Sequence, residues 1–101
     1  MIQVRQIMQA QFGSGGRLAA AMVESSRMLS TTLGGGHWRV LTDLSGPFDT
    51  VVLELEVASL ADWERIRAEL FARPELAEMM ASTASSIASG RNELYTIEAQ
   101  G

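Results

Sequence analysis

Apolar and polar positions alternate on both sides of a turn in residues 40–57, VLTDLSGPFDTVVLELEV, and this alternation predicts two antiparallel strands. In the second strand Val51, Leu53, Leu55 and Val57 fall on one face, with Val52, Glu54 and Glu56 on the other. In the first, Trp38 and Val40 share the oily face, while His37, Arg39, Leu41 and Asp43 share the mixed one. A sheet with one oily and one acid-bearing face needs two different coverings. Gly46-Pro47-Phe48-Asp49 suits a turn with proline at its second position. If Gly46 faces Asp49, Val40 opposes Leu55, Thr42 opposes Leu53 and Arg39 opposes Glu56. A longer loop instead sets Arg39 opposite Glu54 and His37 opposite Glu56. The two registers differ by two residues, so each residue keeps its face in either.

The rest of the chain supplies partners for this hairpin. Residues 2–10 read as a first strand, with Ile2, Val4 and Met8 on one face and Arg5 and Ile7 on the other. The GSGG stretch at 13–16 interrupts it. Residues 17–33 read as a helix with a stripe of Leu18, Met22, Leu29 and Leu33, filled in by Ala21 and Ser25 and ended by Gly34-Gly35-Gly36. Strands are expected at 37–44 and 49–57. Ser59, with Asp62 three residues on, marks the N-cap of a second helix striped by Leu60, Trp63, Ile66 or Arg67, and Leu70. Pro74 opens a further helix, along which Leu76, Met80, Thr83 and Ile87 recur until Gly90 stops it. Residues 92–98 form the last strand, with Leu94, Thr96 and Glu98 opposite Tyr95 and Ile97.

The predicted order is β-α-β-β-α-α-β. It describes an α+β, ferredoxin-like domain with a broken second helix, spanning residues 1–101 as one unit. The helices cover the oily face of a four-stranded antiparallel sheet. The mixed face is left open, and Ile7, Leu41 and Val52 on it favour pairing with a second sheet.

Composition narrows the function classes. A net charge of -4 argues against nucleic-acid binding and against docking to anionic lipid. With no cysteine, disulfides, thiolate nucleophiles and zinc-thiolate sites are excluded. The alternating N-terminus, MIQVRQIMQAQF, lacks a signal peptide's apolar core, and no run approaches the length of a membrane span. A soluble, cytoplasmic protein is expected.

Residues 39–79, RVLTDLSGPFDTVVLELEVASLADWERIRAELFARPELAEM, resemble the NIPSNAP-like members of the dimeric α/β-barrel superfamily. The motifs that carry the likeness are LTDLSGPF, then TVVLELE, then SLADWE at the helix start. The first strand, first helix and last strand fit in order and length. The resemblance implies a homodimer joined through the sheet faces, enclosing a cavity for a small molecule. The superfamily includes cofactor-free monooxygenases of polyketide quinols, haem-degrading monooxygenases, lactone isomerases and members without known activity. Its haem-degrading members use an asparagine on the first strand, a tryptophan on the second helix and a histidine on the next. Trp63 matches the second of these, but the first strand has no asparagine and residues 74–88 have no histidine. Haem chemistry is therefore not expected, and neither a cofactor nor a metal is assigned.

Several residues remain as site candidates. Glu54 and Glu56 could serve as an acid/base or ligand-anchoring pair if desolvated; a cross-strand ion pair with Arg39 is the preferred alternative. His37, the single histidine, could act as a general base but also suits an exposed strand edge. Arg39, Asp43, Trp63 and Tyr95 are candidate ligand-binding residues. GSGG lacks the spacing of a dinucleotide fingerprint and reads as a connector. The expected activity is binding or transformation of a small apolar or aromatic molecule, of a cofactor-free monooxygenase or isomerase type. The alternative is a non-catalytic binding or structural dimer module.

Overall fold

The computed structural model describes residues 1–30 and 37–101. The elements are β1 (Ile2–Ala10), α1 (Gly15–Leu29), β2 (Trp38–Thr42), β3 (Thr50–Val57), α2 (Leu60–Phe71), α3 (Pro74–Thr83), a 3-10 turn (Ala84–Ser86) and β4 (Ile87–Thr96). The four strands form one antiparallel sheet in the order β2-β3-β1-β4, the ferredoxin-like α+β arrangement. The expected end of the first helix at 31–33, with Leu33 and the Gly34–Gly36 stop, lies outside the described residues.

The hairpin adopts the longer-loop register. Trp38 pairs with Leu55, Arg39 with Glu54 and Val40 with Leu53. The tight turn, with Arg39 opposite Glu56, is not formed, and the reason is Asp49. This residue leaves the ladder with φ 61, a conformation Asp tolerates better than most residues. Its two carboxylate oxygens accept hydrogen bonds from the backbone N–H of Gly13 (2.8 Å) and of Gly15 (3.0 Å). Asp43 closes the loop in its place: its N–H donates to the Thr50 carbonyl, and its Oδ1 accepts from the Thr50 N–H at 3.0 Å. The glycine connector is thus held by an anion from the same chain.

The Ser59 Oγ accepts from the Asp62 N–H at 3.1 Å and caps α2 as expected. Pro74 starts α3. The end of α3 differs from expectation, because the helix stops at Thr83 and the chain is already extended at Ile87. Gly90 is no stop signal; it lies within β4, opposite Met8. The Ala/Ser-rich run of 81–89 has little apolar side-chain area with which to hold a helix against the sheet. From Ile87 on, pairing with β1 satisfies the backbone instead.

The helices pack on one face of the sheet and form two apolar clusters. Trp63 and Ile66 of α2 bury against Val4, Leu53, Leu55 and Val57, with Trp38, Val40 and Leu70 packed around them. Leu18 of α1 buries against Ala10 and Val51, with Met8, Met22 and Ile87 alongside. Each fully buried aliphatic contributes about 1.5–3 kcal/mol. Leu60 and Met80, both expected in helix stripes, are exposed.

Candidate functional site

Strand parity sorts the candidate residues onto opposite faces of the sheet. On the open face, one residue from each strand meets in a row running straight across: Arg39 of β2, Glu54 of β3, Arg5 of β1 and Glu93 of β4. The charges alternate along this row. Glu54 lies at its centre, with its side chain only 10% exposed. One oxygen is 2.6 Å from Arg39 Nε and the other 3.0 Å from Arg5 Nε. The Arg5 Nε–H makes no hydrogen bond, so that contact is an ion pair without directional character. Arg5 continues to Glu93 at 3.7 Å, and Glu93 in turn binds Arg91 at 2.9 Å. The Tyr95 hydroxyl donates to Glu93 at 2.8 Å.

These contacts shift two of the groups. Hydrogen bonds from Arg91 and then Tyr95 hold the Glu93 carboxyl below the usual carboxylate range. The same bond to Glu93 pushes the Tyr95 phenol up, because ionising it would set two negative charges side by side.

The other candidates sit apart from this row. Glu56 accepts a hydrogen bond from Gln100 at 2.8 Å. His37 is exposed next to the start of β2, and its carbonyl accepts from the Glu56 N–H. Asp43 belongs to the loop described above and borders a surface depression with Phe12, Phe48 and Asp49. Among the described residues no group of three or more His, Asp or Glu is placed to hold a metal ion.

A cavity of about 460 Å³ lies on the opposite face, between the sheet and its own helices. It separates the two apolar clusters: Leu53, Leu55, Trp63 and Ile66 line one side, and Met8, Leu18 and Met22 the other. Met79, Met80, Thr83 and Ala84 contribute from the α3 end. The floor over β1 and β4 is where the packing thins. There Gln6 pairs with Asn92 and Met8 with Gly90, so two carboxamides and a glycine occupy inward positions that elsewhere carry Val or Leu. Of the seven candidate residues only Trp63 lines this cavity.

The sequence reading did not single out Gln6, Arg67 as a cavity residue, or Asn92. Gln6 shares parity with Val4 and Met8, a signal available in the sequence. Asn92 becomes inward-facing only once the β1–β4 register is known.

Comparison with solved structures agrees with the fold. The chain is similar to an uncharacterized NIPSNAP domain protein from Burkholderia xenovorans, at TM-score 0.83 and 14% identity over 98% of this chain and 96% of that one. It is similar to a NIPSNAP family protein of unknown function from Agrobacterium tumefaciens, at TM-score 0.82 and 18% identity over 94% and 86%. A candidate antibiotic biosynthesis monooxygenase from Nitrosomonas europaea gives TM-score 0.76 and 12% identity over 98% and 100%. No family model and no curated protein matches the sequence. What these neighbours share with the chain is the ferredoxin-like fold common to NIPSNAP and antibiotic-monooxygenase proteins. No helix among the described residues is long and apolar enough to cross a membrane.

Proposed function

We propose that the chain is a NIPSNAP-like protein that binds a small apolar or aromatic molecule in the cavity between its sheet and helices. The observation that carries this reading is the cavity itself. About 460 Å³ in a domain of this size falls within the range of small-molecule sites, and an apolar lining with a few polar groups is their usual composition. Turnover of the bound molecule, of the cofactor-free monooxygenase or isomerase type, is the more specific form of the proposal. Its support is the fold shared with candidate antibiotic biosynthesis monooxygenases.

One observation favours the second reading, a module that binds without chemistry. Among the described lining residues there is no Asp, Glu, His or Tyr to move a proton, and the Glu54 carboxylate is already held by two arginines on the far face.

The proposal includes a homodimer formed through the open sheet face. There Leu41 and Tyr95 are exposed and Ile7 is partly buried, next to the charged row. It also places the protein in the cytoplasm, a setting with which a cysteine-free chain is compatible.

Binding is tested by thermal shift against a panel of naphthoquinones and anthraquinones, with Ala21→Phe as the blocked variant because Ala21 lines the cavity. Stabilisation of the wild type that the blocked variant loses is the expected result. A blocked variant that responds like wild type would place binding elsewhere. The dimer is tested by sedimentation equilibrium at micromolar concentration; a mass near 10.9 kDa, that of one chain, rejects it.

A further inference from the structure

The cavity has a charge bias that its apolar walls do not explain. The chain as a whole is acidic, with net charge -4, yet no Asp or Glu is among the described residues that line the cavity, while Arg67 lines it and Arg91 borders it from β4 with its side chain turned to the open face. Arg91 is already engaged, with its Nε 2.9 Å from Glu93 on the open face. Arg67 differs. No ion pair among the described residues involves it. Its guanidinium carbon lies 5.8 Å from the Trp63 ring centroid and 6.0 Å from that of Phe71. Two aromatic rings can hold a cation in place without neutralising it. Trp63 and Phe71 also line the cavity, and Arg67 is exposed, so this cation stands at the mouth. A guanidinium so fixed offers two parallel donors to a carboxylate. At the floor, Gln6 and Asn92 stand opposite each other in register and provide neutral donors and acceptors.

We propose that the cavity takes an apolar carboxylate. Its hydrocarbon chain or ring occupies the space between the two clusters, and its carboxylate pairs with Arg67 at the mouth. An oxygen substituent at the inner end, where the ligand carries one, meets Gln6 and Asn92. This inference rests on the cavity reading above and adds the chemical class of the ligand.

The test compares three ten-carbon probes below their micelle concentrations: decanoate, 1-decanol and decylamine. Binding is read by calorimetry and by tryptophan fluorescence, to which Trp38 and Trp63 both contribute. Decanoate binds about tenfold more tightly than decanol, and decylamine more weakly than either. In Arg67→Gln the decanoate advantage disappears while decanol affinity is kept; Arg67→Lys keeps part of the advantage. Arg67 is exposed on α2, so the variants fold, and a melting curve without ligand checks this. Equal affinities for decanoate and decanol, or an Arg67→Gln variant that retains the difference, would overturn the carboxylate assignment and leave the cavity reading standing. If none of the three binds the wild type, the carboxylate assignment falls, and the quinone panel with Ala21→Phe decides the cavity reading separately.

Discussion

Replacing Glu54 by Gln tests whether the charged row on the open face is structural. The substitution keeps the volume and removes the charge that holds two arginines, at 2.6 and 3.0 Å. Burial decides the size of the effect. The Arg39 side chain is 71% exposed, so its pair is screened and contributes less than about 1 kcal/mol. Arg5 is 36% exposed and lies between Glu54 and Glu93, so its charge is harder to solvate once Glu54 is gone. Hydrogen bonds and ion pairs to a charged, largely buried carboxylate are worth about 1.5–3 kcal/mol, which sets Glu54→Gln near 2 kcal/mol. For a domain of this size that lowers Tm by roughly 8–16 °C. Arg39→Gln costs less than half as much. The assay is urea unfolding at one fixed protein concentration, since any association would make the midpoint concentration-dependent. Repeating it in 0.5 M NaCl separates the two, because salt erodes the exposed Arg39 pair and leaves the Glu54 effect largely intact. A Glu54→Gln cost below about 0.5 kcal/mol, or one matched by Arg39→Gln, would refute the burial argument.

Two further outcomes follow from the geometry. A Cβ on Gly15 would lie 2.7 Å from Asp49 Oδ1, whereas one on Gly16 meets nothing within 4 Å. Gly15→Ala therefore pushes Asp49 off the connector and destabilises by about 1–3 kcal/mol, while Gly16→Ala stabilises by up to about 1 kcal/mol in the same unfolding assay; equal effects would deny Asp49 its role. Tyr95 is the single tyrosine, so its absorbance titration is free of overlap from other phenols. Its midpoint lies above 10.0 and returns toward 10.0 in Glu93→Gln. The signs of the linked stabilities are opposite. The Tyr95 contribution is complete below pH 10 and is lost as pH rises through the raised value. That of Glu93 is complete above about pH 4.5 and is lost as pH falls through the lowered one. An unshifted Tyr95 midpoint would remove the hydrogen bond.

Much of the fold could be read from local pattern. The alternation in 51–57 assigns Val51, Leu53, Leu55 and Val57 to the core side, and the Ser59–Asp62 spacing sets the start of α2, because both signals act within a few residues. The end of α3 could not be read this way. Residues 87–90 carry no strong preference, and pairing with β1, distant in the sequence, decides their conformation. The candidate site divides similarly. The sequence places Arg39, Glu54 and Glu56 on one face but leaves Arg39 opposite either glutamate, and Arg5 and Glu93, which complete the row, come from strands whose register depends on the assembled sheet.

The sequence alone determined the element order, the two-faced character of β3 and the anionic, cysteine-free composition, since each depends on residue type and short-range spacing. The tertiary structure decided the hairpin register, through Asp49 leaving the ladder for Gly13 and Gly15. It also decided the place of the cavity, on the helix side where Gln6, Asn92 and Gly90 stand in place of larger apolar residues. Both depend on groups far apart in the chain, and side-chain volume can leave a space only after the strands carrying it have been brought into line.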